Sequence, residues 1–172
     1  SNRKDHTDLF QKPSGGAESE ELLVESAENK YPTDWSADGR FILYFSNGPQ
    51  TDSDIWVLPL QGDRKPFVFL KTNFNERHAQ FSPDGRWVAY MSNESGRYEI
   101  YVRPFPGPGG QWQVSTAGGI NPRWGTGGKE LYYIAPDGTL MATPIAGSGA
   151  TIEPGRPVAL FHTRISGGGA DI

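Results

Sequence analysis

The residues of this chain suited to proton transfer or metal ligation near neutral pH are three histidines, His6, His78 and His162. They lie far apart in the sequence without metal-ligand spacing, so no metal site is expected of them. Carboxylates recur as Asp34, Asp38, Asp52, Asp54, Asp84 and Asp137. Asp52-Ser53-Asp54 offers the oxygen ligands that a hard cation such as calcium takes, but lacks the Gly and distal Glu that complete a calcium loop. Asp38, Asp84 and Asp137 each precede Gly, and that pairing is turn chemistry before it is acid–base chemistry. Gly125 to Lys129 has the outline of a phosphate loop. However, Arg123 stands where the leading Gly is needed, and Glu130 where a hydroxyl should follow Lys129. There is no serine on a G-x-S-x-G elbow, nor are there the His-Arg-Asp, Asp-Phe-Gly, Ala-Pro-Glu and G-x-G-x-x-G signatures of a kinase. With no Cys, thiol catalysis, disulfides and Cys-ligated zinc are excluded too. The expectation is a chain with no catalytic residues, metal or cofactor of its own.

Composition points the same way. Of 172 residues 12% are aromatic and 21% charged, which is enough apolar material for a core and too much for disorder. A net charge of -4 removes the electrostatic footprint of a nucleic-acid binder. No apolar run approaches the roughly 18 residues of a membrane span, so no membrane contact is expected of this segment. The 22 Gly and 14 Pro make about a fifth of the chain, short of low-complexity sequence but enough for many turns.

The elements that position these residues follow an internal repeat. Trp35-Ser36-Ala37-Asp38-Gly39-Arg40 through Tyr44, Phe81-Ser82-Pro83-Asp84-Gly85-Arg86 through Tyr90, and Trp124-Gly125-Thr126-Gly127-Gly128-Lys129 through Tyr133 align. In each, an aromatic is followed four residues later by Gly, five later by a cation and nine later by Tyr, and successive aromatics are 46 and 43 positions apart. After the first turn come short aromatic and β-branched runs, Phe41 to Phe45, Trp87 to Met91 and Leu131 to Ile134, which read as buried strands. A second turn, a third strand and a fourth (Phe67 to Leu70, Trp112 to Val114, Val158 to Phe161) close each unit. Four short strands in 43–46 residues is the arithmetic of one β-propeller blade. Leu9-Phe10 and Leu22-Leu23-Val24 take the places of the last two strands of a preceding blade. A helix over the acidic stretch Ala17 to Lys30 is the alternative, disfavoured because its apolar residues bunch at 22–24. The predicted fold is all-β, a propeller fragment of about 3.5 four-stranded antiparallel blades. It comprises a half blade over 1–30, with Ser1-Asn2 read as a tag remnant, then blades over 31–73, 74–117 and 118–165, and a mobile Gly-rich tail over 166–172.

Trp35-Ser36-Ala37-Asp38-Gly39 and Phe81-Ser82-Pro83-Asp84-Gly85 resemble the W-S-P-D-G repeat of TolB-like propellers, which are WD-like repeats without the Trp-Asp dipeptide. The wider wording, from Phe81 through Tyr90 to Val102-Arg103-Pro104-Phe105-Pro106, is similar to the propellers that follow the kinase and membrane segments of bacterial serine/threonine protein kinases. The likeness runs over roughly residues 7–165. Gly125-Thr126-Gly127-Gly128 departs from Ser-Pro-Asp-Gly and leaves room for a different turn type. The resemblance implies a closed propeller of about six to eight blades used as a scaffold or sensor within a larger bacterial protein. The setting it implies is the periplasm or extracytoplasmic face, with the cytoplasm as the alternative.

Propellers bind partners at the channel mouth through innermost-strand residues and adjoining loops, an inference drawn from the fold. The positions just before each repeat aromatic belong to those strands: Thr33 and Asp34, Ala79 and Gln80, Pro122 and Arg123, together with Arg77 and His78. Asp34, Arg77, His78, Gln80 and Arg123 are therefore the candidate ligand-facing residues, with an ordinary hydrogen-bonded strand histidine as the alternative reading of His78. Tyr44, Tyr90 and Tyr133 share one repeat position and should serve one packing task between blades. The expected partner is a protein, peptide or small molecule at the channel mouth. Three and a half blades cannot close a ring, so the first blade's face and the region of Val158, Leu160 and Phe161 should stay open for a second copy or another chain. The alternative function is the substrate-gating propeller of a prolyl-oligopeptidase-like serine peptidase, whose triad would lie in a separate domain.

Overall fold

Each blade begins with a turn held by its own side chains. Ser36 Oγ donates to Asp38 Oδ1 (2.7 Å) and accepts the amide of Phe41 (2.9 Å), while Gly39 takes φ +72°. Ser82, Asp84, Trp87 and Gly85 repeat this with 2.6 and 3.0 Å bonds and φ +68°. In the third repeat the Ser and Asp are gone, yet Gly128 (φ +67°) donates to the Gly125 carbonyl at 2.8 Å, as Gly39 does to Ser36. The room left for a different turn type there is not used: the backbone hydrogen bond and the left-handed Gly suffice to make the same turn.

The computed structural model describes residues 2–4, 6–15, 19–48 and 53–164; Ser1, Asp52 and the tail over 166–172 lie outside the described residues. Strands β1 (Asn2–Lys4) and β2 (His6–Thr7) pair as a small hairpin, and β3 (Leu9–Gln11) pairs with β4 (Glu21–Val24) as a half blade. The first whole blade is an antiparallel sheet of β5 (Asn29–Trp35), β6 (Phe41–Asn47), β7 (Asp54–Pro59) and β8 (Phe67–Leu70). The second is β9 (Glu76–Phe81), β10 (Trp87–Ser92), β11 (Glu99–Pro104) and β12 (Trp112–Gln113). The third has β13 (Ile120–Trp124), β14 (Glu130–Ile134) and a ten-residue β15 (Thr139–Ser148), whose far half turns back as β16 (Thr151–Pro154). Its near half pairs with the outer strand β17 (Val158–His162), so this blade carries five strands where four were expected. No described residue is helical. The chain is an all-β propeller fragment of one half blade and three blades.

Strand alternation decides which blade each side chain touches. Along β6, Ile42 and Tyr44 pack back on Leu9 of the half blade, while Leu43 packs forward on Ala79, Val88 and Tyr90. Along β10, Val88 and Tyr90 face the first blade and Ala89 and Met91 face the third, and all six β10 positions are buried. Tyr44, Tyr90 and Tyr133 are all buried, each on the face turned to the preceding blade.

Polar groups also line these seams. Asp8 just before β3, Asp54 at the start of β7 and Glu99 at the start of β11 hold corresponding places in successive blades and are all buried. The Lys30 ammonium spends its three protons on Asp8 Oδ1 (2.9 Å) and the carbonyls of Ser26 and Glu28. Burial pushes the Asp8 carboxyl up, but the Lys30 hydrogen bond and charge outweigh it and hold Asp8 below its ordinary range. Glu99 takes Arg97 Nε (2.8 Å), the Gly118 amide (2.9 Å) and the Ser115 hydroxyl. At the middle seam the residue in the place of Lys30 is an acid. Glu76 is wholly buried; its Oε1 accepts from Thr72 (2.6 Å) and Ser92 (3.4 Å), and its Oε2 has no hydrogen-bond partner. Lys71, on the adjoining β8–β9 connection, is paired with Asp54 Oδ2 at 2.9 Å.

Burial, reinforced by the charges of Asp54 and Glu94, pushes the Glu76 carboxyl up to about 7 despite its hydroxyl partners. The folded state then holds a proton on Glu76 that the unfolded chain has already lost. The stability this group contributes is complete below about pH 4.5 and is lost as the pH rises through about 7. Glu76→Gln carries the neutral form permanently. In urea unfolding, wild type should lose roughly 2–3 kcal/mol relative to Glu76→Gln between pH 4.5 and pH 8. A difference between the two proteins that does not move with pH would refute this.

Candidate functional site

The three innermost strands β5, β9 and β13 lie side by side, and each carries a bulge at one place. Pro32 opposes Tyr44 and Asp34 opposes Leu43, leaving Thr33 extra. In β9, His78 and Ala79 together stand across from Tyr90, and in β13 Asn121 and Pro122 stand across from Tyr133. His78 (φ +53°) and Asn121 (φ +54°) take the left-handed conformation that such a bulge needs, which His and Asn tolerate better than most residues. A bulge bends its strand and re-aims the residues beside it. The candidate residues sit on or next to these bends.

The bulge lays the His78 ring on Phe45 (centroids 6.0 Å, 27° between planes), and Phe45 stacks on Tyr31 at 4.9 Å. The Arg77 guanidinium lies 5.8 Å from the Phe45 centroid, with Nε donating to Ser53 Oγ (2.8 Å) and a terminal nitrogen donating to Asn75 Oδ1 (3.2 Å). Burial, then the Arg123 and Arg77 charges, hold the His78 imidazole below its ordinary value, so it is neutral at pH 7. Arg123 is exposed and donates to the Pro122 carbonyl at 2.8 Å. Asp34 Oδ2 accepts the Phe81 amide (2.8 Å), joining β5 to β9 one repeat on. Burial pushes its carboxyl up, with the amide bonds and Arg123 pulling the other way. Gln80 is half-buried on β9. The arrangement is a cationic and aromatic platform: Arg77 and Arg123 around His78, Phe45 and Tyr31. It can stack on planar groups and pair with anions.

The structure thus brings Asp34 and His78 each within electrostatic reach of Arg123 and sets Arg77 beside His78. Ala79, expected with the ligand-facing set, is buried in the seam between the first two blades because the bulge turns it inward. Tyr31 and Phe45 were missed. The available signal was alternation along β6, which puts Phe45 on the same face as Leu43. The other histidines stay apart: His6 lies 3.5 Å from Asp8, and His162 packs beside the turn at Gly138. Among the described residues no cluster of three His, Asp or Glu could hold a metal. Of the Asp52-Ser53-Asp54 stretch, Ser53 and Asp54 serve the seam, bonding Asn47, Arg77 and Lys71. The segment Gly125 to Lys129 is a strand-to-strand turn.

Blades radiating from bulged inner strands define a β-propeller. Among solved structures this fold is similar to that of a protein from Agrobacterium tumefaciens assigned as TolB, with a TM-score of 0.71, 18% identity, and coverage of 90% of this chain and 58% of that one. It is similar also to TolB from Acinetobacter baumannii (TM-score 0.70, 18% identity, 96% of this chain and 40% of that one). A third likeness is to a prolyl endopeptidase, with a TM-score of 0.60, 13% identity, and coverage of 90% of this chain and 24% of that one. The chain therefore spans 58% and 40% of the two TolB structures. No family model and no curated relative matches the sequence. The likeness establishes a TolB-like propeller fold.

The depressed His78 value gives a direct test. Titrated by NMR, the His78 ring should ionise below the ordinary 6.5. Arg123→Ala should raise that midpoint by removing a nearby positive charge. An unchanged His78 midpoint in Arg123→Ala would place the guanidinium away from the platform.

Proposed function

We propose that the chain is a non-catalytic interaction or sensing module, part of a larger bacterial protein, that takes a protein, peptide or small ligand at the channel mouth. What carries this reading is the platform itself. Arg77, His78 and Arg123 are held on bulged inner strands with Asp34 and Gln80 beside them, a set of cations, a carboxylate, an amide and stacked rings suited to holding a ligand. A propeller that follows a kinase and membrane segment, working at an extracytoplasmic face, is the setting we favour.

The open ends support assembly as the way this fragment works. Leu22 (43% exposed), Trp35 (52%), Val158 (54%), Leu160 (47%) and Phe161 (61%) are apolar and uncovered. A hollow of about 760 Å³ between half blade and first blade is lined by Phe10, Leu23, Trp35 and Ile42. A second copy, or another chain completing the ring, would cover such faces. The second reading, a substrate-gating propeller of a serine peptidase, is favoured by the prolyl endopeptidase likeness, which is a likeness of fold.

Incubated with ATP, generic esters and peptides, the chain should give no turnover above background; turnover abolished by His78→Ala would overturn the reading. In affinity capture, a partner held by wild type should be lost with Arg77→Glu/Arg123→Glu and kept with the control Lys12→Glu. Sedimentation at micromolar concentration should show self-association, and a compact monomer that never associates would refute assembly between copies.

A further inference from the structure

The third blade breaks the repeat in two places, and both breaks line one cavity. The first is the turn Gly125-Thr126-Gly127-Gly128, where Gly127 stands in the place of Asp38 and Asp84. The second is the hairpin β15–β16, which has no counterpart in the other blades. The hairpin reaches toward the second blade, with Ile145 and Ile152 joining Trp87 in one apolar cluster and the Arg86 guanidinium donating to the Gly149 carbonyl at 2.5 Å. Between the two turns and the hairpin lies a cavity of about 750 Å³, within the range of small-molecule sites.

Its chemistry follows from the same departures. In the first two blades the cation after the turn has a carboxylate at hand: Arg40 on Asp38 at 2.6 Å, and Arg86 on Asp84 at 3.8 Å. The third keeps the cation, Lys129, but Gly127 removes its acid, and Lys129 makes no ion pair among the described residues. The cavity is thus walled by the Trp87 and Trp124 rings, Ile145 and Ile152, with Lys129 as an unmatched positive charge and the Arg86–Asp84 pair on the facing wall.

We infer that this cavity binds a small planar aromatic carboxylate, its ring against the tryptophans and its carboxylate on Lys129. The site is separate from the channel platform and does not depend on it. 2-Naphthoate is a suitable probe, followed by the five indole N–H signals in 15N–1H NMR. The Trp124 signal should shift saturably. Lys129→Gln, and Gly127→Asp, which restores the acid of the other turns, should each weaken binding about tenfold, the scale of one charge-assisted hydrogen bond. A Cβ at Gly127 meets nothing within 4 Å, so the second variant should fold normally. The neutral 2-naphthamide should bind about tenfold more weakly than the acid. No saturable shift at Trp124, a shift confined to Trp35 on the open blade face, or equal affinity for acid and amide would each overturn the assignment.

Discussion

The middle strands of the first two blades are buried between the blades on either side, and the rest of the structure depends on that constraint. All six positions of β10 are out of water, with alternate side chains given to the blades before and after it. Such a strand cannot satisfy itself within its own sheet: it needs a neighbour on each side, and the neighbours need theirs. The repeat is the cheapest way to meet that demand, since one pattern of alternating apolar residues serves each blade in turn. It also explains the buried polar seam, for Lys30, Asp54, Glu76 and Glu99 are caught between sheets where only other protein groups can satisfy them.

Toward the axis the demand changes. The inner strands crowd together, and each takes a bulge opposite the repeat's tyrosine. The extra residue bends the strand and twists its tail, so that His78 lies on Phe45 and Arg77 over the same ring. The platform is a by-product of how the strands curve, which is why its residue types differ from blade to blade while the bulge does not. Phe81's amide is held by Asp34 across the blade boundary, a contact that couples the platform to the packing beneath it.

The third blade shows the repeat relaxed. Its turn survives without the Ser and Asp side chains because Gly128 alone can take the left-handed conformation and close the backbone hydrogen bond. Its third strand runs on for ten residues and folds back as a hairpin over the seam. Where the local rule is broken a cavity opens, and along the outer strand β17 Val158, Leu160 and Phe161 stay exposed.

The spacing of Trp35, Phe81 and Trp124 determined three blades and the strand order of the first two, though not the extra β15–β16 hairpin of the third. Each is set by contacts close in sequence, through Gly conformation and strand alternation. The same spacing put Asp34, Arg77, His78, Gln80 and Arg123 on inner strands, because position within a repeat is position within a blade. It could not give the bulges, whose extra residue is visible only against the partner strand, nor therefore that Ala79 turns into the core while His78 meets Phe45. Nor could it distinguish Glu76 from Lys30 as a buried acid in the place of a buried cation, since burial arises only when two blades meet. The cavity beside Lys129 belongs wholly to the tertiary structure: it takes two departures, some twenty residues apart in the chain, and the packing of a neighbouring blade to make one space.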